Sequence, residues 1–112
     1  RLLLDRPTGA RDARIHLRAA AALLPDDVPI LVALSVACMR VDEPKEAEVA
    51  LLHARDLAPK DAAVHFNLGV LYADKLSRPE AAVESFHRYL ELGGEDRARV
   101  ERWLKQLEKP GS

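Results

Sequence analysis

Apolar residues recur at three- and four-residue steps along almost the whole chain. Ile30, Leu31, Leu34 and Cys38 share one helical stripe, as do Val64, Leu68, Leu71 and Tyr72. Ala47, Leu51, Ala54 and Leu57 keep the same rhythm, and so do Ala82, Phe86, Tyr89 and Leu92. This is the spacing that lines one side of an α-helix; no segment alternates with the two-residue period of a strand. The pattern predicts helices over 10–24, 28–41, 44–57, 61–75, 79–92 and 97–108, preceded by a partial helix through about Asp5. Pro25, Pro59 and the Gly93-Gly94 pair punctuate their ends. Thr8, Asp42 and Ser77 stand where one set of helices begins, and Asp27, Asp61 and Asp96 where the other does. All six side chains are able to accept from the orphan amides of a helix start. Ser77 with Glu80 has capping-box spacing, and Pro44 and Pro79 fall in the first turn, where a missing amide costs little.

The pattern repeats with a period near 34 residues. Leu23-Leu24-Pro25-Asp26-Asp27 aligns with Leu57-Ala58-Pro59-Lys60-Asp61 at an offset of 34, and Leu92-Gly93-Gly94-Glu95-Asp96 comes at a further 35. Leu34 and Val36 map onto Leu68 and Val70, and Ala13 onto Ala47 and Ala82. The extra residue of the last unit is expected in a loop between Lys75 and Pro79. Short connections imply antiparallel neighbours, and a repeat of this length implies stacked helix pairs, none of which buries its apolar face alone.

The best unit, Phe66-Asn67-Leu68-Gly69, Tyr72, Ala82, Phe86 and Leu92, resembles the tetratricopeptide repeat family. Leu34-Ser35, Cys38, Ala47, Leu51, Ala54 and Pro59 form an in-register, degraded copy. The sequence departs from the family's pattern at His65, Cys38 and Tyr89. The small residues Gly69, Ser35, Ala47, Ala54 and Ala82 are expected to let helix backbones approach. The resemblance implies an all-α, right-handed α-solenoid of antiparallel helix pairs, about two and a half units plus a C-terminal capping helix. Its parts would be a partial repeat over 1–26, repeats over 27–60 and 61–95, and a capping helix over 96–109. The cap carries Val100, Trp103, Leu104 and Leu107 on one stripe. No such cap precedes Leu2-Leu3-Leu4, so Leu2, Leu3 and Leu4 are a candidate edge for self-association or for stacking on upstream repeats.

Composition narrows the function. The chain has 112 residues and a formal net charge of −1, with a hydrophobic fraction of 48% and a charged fraction of 31%. That balance suits a folded domain, and the lack of basic excess argues against a nucleic-acid partner. No apolar run is long enough to cross a bilayer, so no membrane insertion is expected. One cysteine, Cys38, makes no internal disulfide. His16, His53, His65 and His87 lack metal-ligand spacing, and no nucleophile elbow or phosphate-cradling loop occurs, so neither catalysis nor a cofactor or metal is expected. Either a cytoplasmic or a periplasmic setting is compatible with the composition, whose richness in Ala, Arg and Leu suits a bacterial source.

The expected partner is another protein. In the family resembled, the first helices of successive units line a concave groove. By register that face presents Leu2, then Val32, Ala33, Val36, Met39 and Arg40, then Phe66, Asn67, Val70, Ala73 and Asp74, then Glu101, Arg102 and Lys105. Its centre is apolar, with Met39 as an adaptable contact and Phe66 as an anchor for a peptide or helix. Only Asn67 suits a clamp for a chaperone's C-terminal carboxylate, so that variant is not expected. Residues 1–24 and 97–112 each carry five basic and two acidic residues, while 25–96 hold seven basic and fourteen acidic. Arg11, Arg14 and Arg18 form a basic stripe, read either as a solvated face or as docking for an acidic partner, including the middle of a second copy in a homo-oligomer.

Overall fold

Helices in this chain begin at Asp or Pro, and the helical stretches that end at Arg40, Lys75 and Glu91 are closed by the left-handed residues Asp42, Ser77 and Gly93. The computed structural model describes residues 7–108; the expected partial helix through Asp5 and the Leu2–Leu4 edge lie outside them. The described residues form six helices and no strand: α1 (Pro7–Leu23), α2 (Val28–Arg40), α3 (Pro44–Leu57), α4 (Ala62–Val70), α5 (Pro79–Glu91) and α6 (Arg97–Leu107). A single wide π-type turn, Leu71–Lys75, continues α4. Loops of three to five residues join them. Each helix packs on its neighbour in sequence, and α2 also lies against α4.

The capping differs in part from expectation. The Asp27 carboxylate accepts from the Ile30 amide at 3.0 Å, and Asp61 from the Ala63 amide at 2.9 Å, as the sequence suggests. Asp96 occupies the N-cap of α6 without capping it, because Arg99 holds its carboxylate. Thr8 lies inside α1, which starts earlier, at Pro7. Asp42 and Ser77 close the preceding helix instead of capping the next one. Their φ values are 62° and 52°, so the N-caps fall to Glu43 and Arg78, neither with a side-chain cap, and the Ser77–Glu80 box does not form. At the end of α2 the Glu43 amide donates to the Cys38 carbonyl at 2.8 Å and the Asp42 amide to the Met39 carbonyl at 3.2 Å. This is a Schellman close, and Gly93-Gly94 repeats it after α5, with φ 80° at Gly93.

The extra residue sits upstream of its expected place. Where the Val41 amide bonds four residues back to Ala37, the matching Leu76 amide bonds five residues back to Leu71 at 3.1 Å. The insertion is thus absorbed inside the helix as the wide turn, not in the loop before Pro79. The core runs through all the pairs: Ala47, Leu51 and Ala54 from α3, Val64, Leu68 and Leu71, Ala82 and Phe86 from α5, and Val100 from α6 are essentially sealed.

Candidate functional site

Four of the chain's five aromatic residues gather between α4, α5 and α6. Phe66 lies 5.4 Å from Tyr89 and 5.9 Å from Trp103 between ring centroids, and Phe86 lies 5.5 Å from Trp103. Gly69 makes this possible, since a Cβ there would overlap the Phe86 ring. Tyr89 packs its ring on Gly94, and its hydroxyl accepts the Asp96 amide at 2.7 Å, so this departure from the family pattern pins the turn into α6. The Arg99 guanidinium stacks over Phe66 and Trp103, 5.5 and 5.1 Å from their centroids.

Two clefts flank the bridge that Phe66 and Trp103 make between α4 and α6. One, of about 290 Å³, lies between Val70, Ala73 and Asp74 on one side and Trp103, Gln106 and Leu107 on the other, with Phe86 beneath. The second, of about 450 Å³, is lined by Ala63, Phe66, Tyr89, Gly93 to Asp96, and Arg99. Of the expected groove residues here, Val70, Ala73 and Asp74 line the first cleft and Phe66 the second, while Asn67 lines neither. Phe66 is half-buried and engaged by its own aromatic neighbours, so part of its anchoring surface is already used. Asn67 donates its side-chain amide to the Ala63 carbonyl at 2.8 Å, leaving its oxygen as the group for a ligand.

Other expected groove residues fall elsewhere. Met39 is only 8% exposed and belongs to the core; α2 is apolar on nearly every side and is flanked by α1, α3 and α4, so less of its circumference stays open. Val36 and Arg40 line a small crevice against Gly9, Ala13 and Leu17 of α1, while Val32 stays half-buried. Arg102, with Glu101 and Lys105, lines a separate cleft against His87 and Glu91 of α5. The cause is the rotation of α6: burying Val100 and Leu104 turns Arg99, Trp103 and Gln106 toward α4 and sends Arg102 to the far side. Arg99 and Gln106 were missed by repeat register. The four-residue step from Arg99 to Trp103 was the available signal for a stacked cation.

The basic stripe on α1 is largely consumed inside the molecule. Arg18 holds the Glu46 carboxylate through two hydrogen bonds of 2.6 and 3.0 Å. Arg14 lies 3.3 Å from the same carboxylate and 4.0 Å from Glu43, leaving Arg11 exposed. Arg18 holds the Glu46 carboxyl below its ordinary range, against the opposing effect of burial. Burial pushes the Cys38 thiol up to about 11, assisted by the nearby Glu46 charge. A fully buried thiol kept neutral in this way is a core side chain and a poor nucleophile. His65 donates to the Pro59 carbonyl at 2.8 Å, His53 to the Pro25 carbonyl at 3.1 Å, and His87 to Glu108 at 3.0 Å, so each ties two segments together. Among the described residues no group of His, Cys, Asp and Glu has the arrangement of a metal site, and no helix is long and apolar enough to cross a membrane. No protein-family model and no curated protein matches the chain.

Proposed function

We propose that this chain is a segment of a tetratricopeptide-like α-solenoid, a non-catalytic interaction module that receives a peptide or helix of a partner protein on the face shared by α4 and α6. The solenoid reading is supported by equivalent parts of the two helix pairs: Asp27 and Asp61 cap the first helices, Asp42 and Ser77 turn left-handed at their ends, and Ala47 and Ala82 are sealed in the second helices. One observation carries the binding reading. Val70, Ala73, Trp103 and Leu107 stay half-exposed around the cleft of about 290 Å³, although each also packs on the core. Apolar walls already fixed in place let a partner gain burial at little ordering cost to the receptor.

Binders selected from a random peptide library and titrated against Val70→Glu test this. Because Val70 is half-exposed, melting should fall by less than about 4 °C. Affinity should drop at least about tenfold. Peptides that bind Val70→Glu as tightly as the wild type place the partner elsewhere and end this reading.

A second reading, stacking or self-association through the N-terminal edge, is favoured by the outer side of α1, where Ile15 is 60%, Leu23 82% and Leu24 54% exposed. Sedimentation equilibrium decides it. A concentration-dependent mass that Ile15→Glu with Leu23→Glu abolishes would support this edge, and a monomer at every concentration would remove self-association.

A further inference from the structure

The cleft between α4 and α6 has a polarity that its apolar walls do not account for. Asp74 is the one charged side chain lining it among the described residues. It is exposed, and among those residues it makes no ion pair. Asp74 belongs to the wide turn Leu71–Lys75 that distinguishes the second helix pair from the first. The matching stretch of α2 offers Met39 and Arg40 and no acid. The residue absorbed in this turn widens the last turn of the helix where the cleft opens, so this turn decides what the rim of the cleft presents.

The surroundings reinforce the sign. Residues 25–96 hold fourteen acidic against seven basic side chains. The cations of α6 do not cancel this at the cleft: Arg97, Arg102 and Lys105 line the hollow beside α5, and Arg99 is stacked on the aromatic bridge and paired with Asp96. At about 290 Å³ the cleft lies at the small end of ligand sites, which suits one anchoring side chain better than a cofactor.

Resting on the proposed peptide-binding role, we infer that this cleft accepts an apolar side chain of a partner peptide whose adjacent residue is Lys or Arg, the cation pairing with Asp74. A charge-assisted contact at the rim of the cleft fixes the peptide's register, while the apolar anchor supplies the burial.

Trp103 is the chain's single tryptophan and lines the cleft, so its emission reports occupancy. The probes are three capped hexapeptides in which leucine and phenylalanine alternate with arginine, with glutamine or with glutamate. The arginine peptide should shift Trp103 emission at about tenfold lower concentration than the glutamine peptide. Asp74→Asn should remove that preference, and Asp74→Lys should transfer it to the glutamate peptide, both with melting unchanged. If all three peptides act at equal concentration, or the preference survives Asp74→Asn, the role of Asp74 falls and the binding reading stands. If none of them shifts Trp103 emission, both fall.

Discussion

The pairs α2–α3 and α4–α5 share a register but fill their interiors with side chains of opposite size. In the second pair Phe86 is sealed in the core, and the first helix makes room for its ring with Gly69. At the matching places of the first pair stand Leu51 and Ser35, both fully buried, with the Ser35 hydroxyl donating to the Val32 carbonyl at 2.7 Å. Cys38 likewise stands where the second pair has Tyr72, whose hydroxyl donates to Glu48 at 3.0 Å. The first pair is an aliphatic core clamped from outside by Arg14, Arg18 and Glu46; the second is an aromatic core that spreads outward through Phe66 and Trp103 to α6. Gly69 with Phe86 and Ser35 with Leu51 keep nearly the same total volume, whereas Tyr72 adds bulk over Cys38 by reaching out to Glu48. Only the aromatic filling leaves half-exposed rings beside open clefts, which is why the candidate site sits at the C-terminal end.

Exchanging the fillings is the strongest way to break this comparison. Gly69→Ser forces a side chain into the Phe86 ring and should cost about 1–3 kcal/mol in urea unfolding. Phe86→Leu leaves a cavity and should cost about 1–2 kcal/mol. Together they rebuild the Ser–Leu combination of the first pair, so the double variant should be at least about 1 kcal/mol more stable than the sum of the single losses implies. Strict additivity would mean that the two positions do not trade volume.

Helix placement was legible because periodicity, proline and aspartate all mark the same boundaries, and α2, α3 and α5 begin where the pattern ends and restarts. The site was legible only in part. Val70 on α4 and Asp74 on its wide turn share one cleft, as helical spacing brings i and i+4 to one side, but Phe66 lines the other cleft and Asn67 neither. Arg102 and Met39 do not join them, because the rotation of α6 and the three neighbours of α2 are set by tertiary packing that no local pattern encodes. The roles of Asp42 and Ser77 were misread for another reason: Asp and Ser favour helix starts, yet both tolerate the turn just past a helix end, and composition does not separate the two uses.

That left-handed turn gives a smaller test of the same two pairs. Ser77 carries a steric cost at φ 52° that glycine would avoid, whereas Asp42 at φ 62° belongs to a residue type that visits this region more readily. Ser77→Gly should therefore stabilise the chain by about 1 kcal/mol, raising the melting temperature by about 3–6 °C. Asp42→Gly should gain less than about half as much. Equal gains at the two positions would show that side-chain type does not matter there.

The smallest effect separates the outer clamp of the first pair from the aromatic filling of the second by its dependence on pH. Glu46 has its carboxyl lowered from the ordinary 4.5, chiefly by the hydrogen bonds from Arg18. The folded chain therefore binds that proton more weakly than the unfolded chain does. The stability from this pairing is fully present above the unfolded value and is lost as pH falls through the folded one. Glu46→Gln should cost less than about 1 kcal/mol near neutral pH, because solvent reaches the pair and screens it. The gap between variant and wild type should stay constant from about pH 8 to 6 and close below about pH 4. Raising the salt to about 1 M should narrow it at neutral pH. Trp103→Leu, measured over the same range, should leave a gap that acid does not close, since ring contacts exchange no proton. A Glu46→Gln gap that stayed equally flat would mean that the arginine clamp contributes no pairing energy, and that α1 is held on the α2–α3 pair by its apolar face alone.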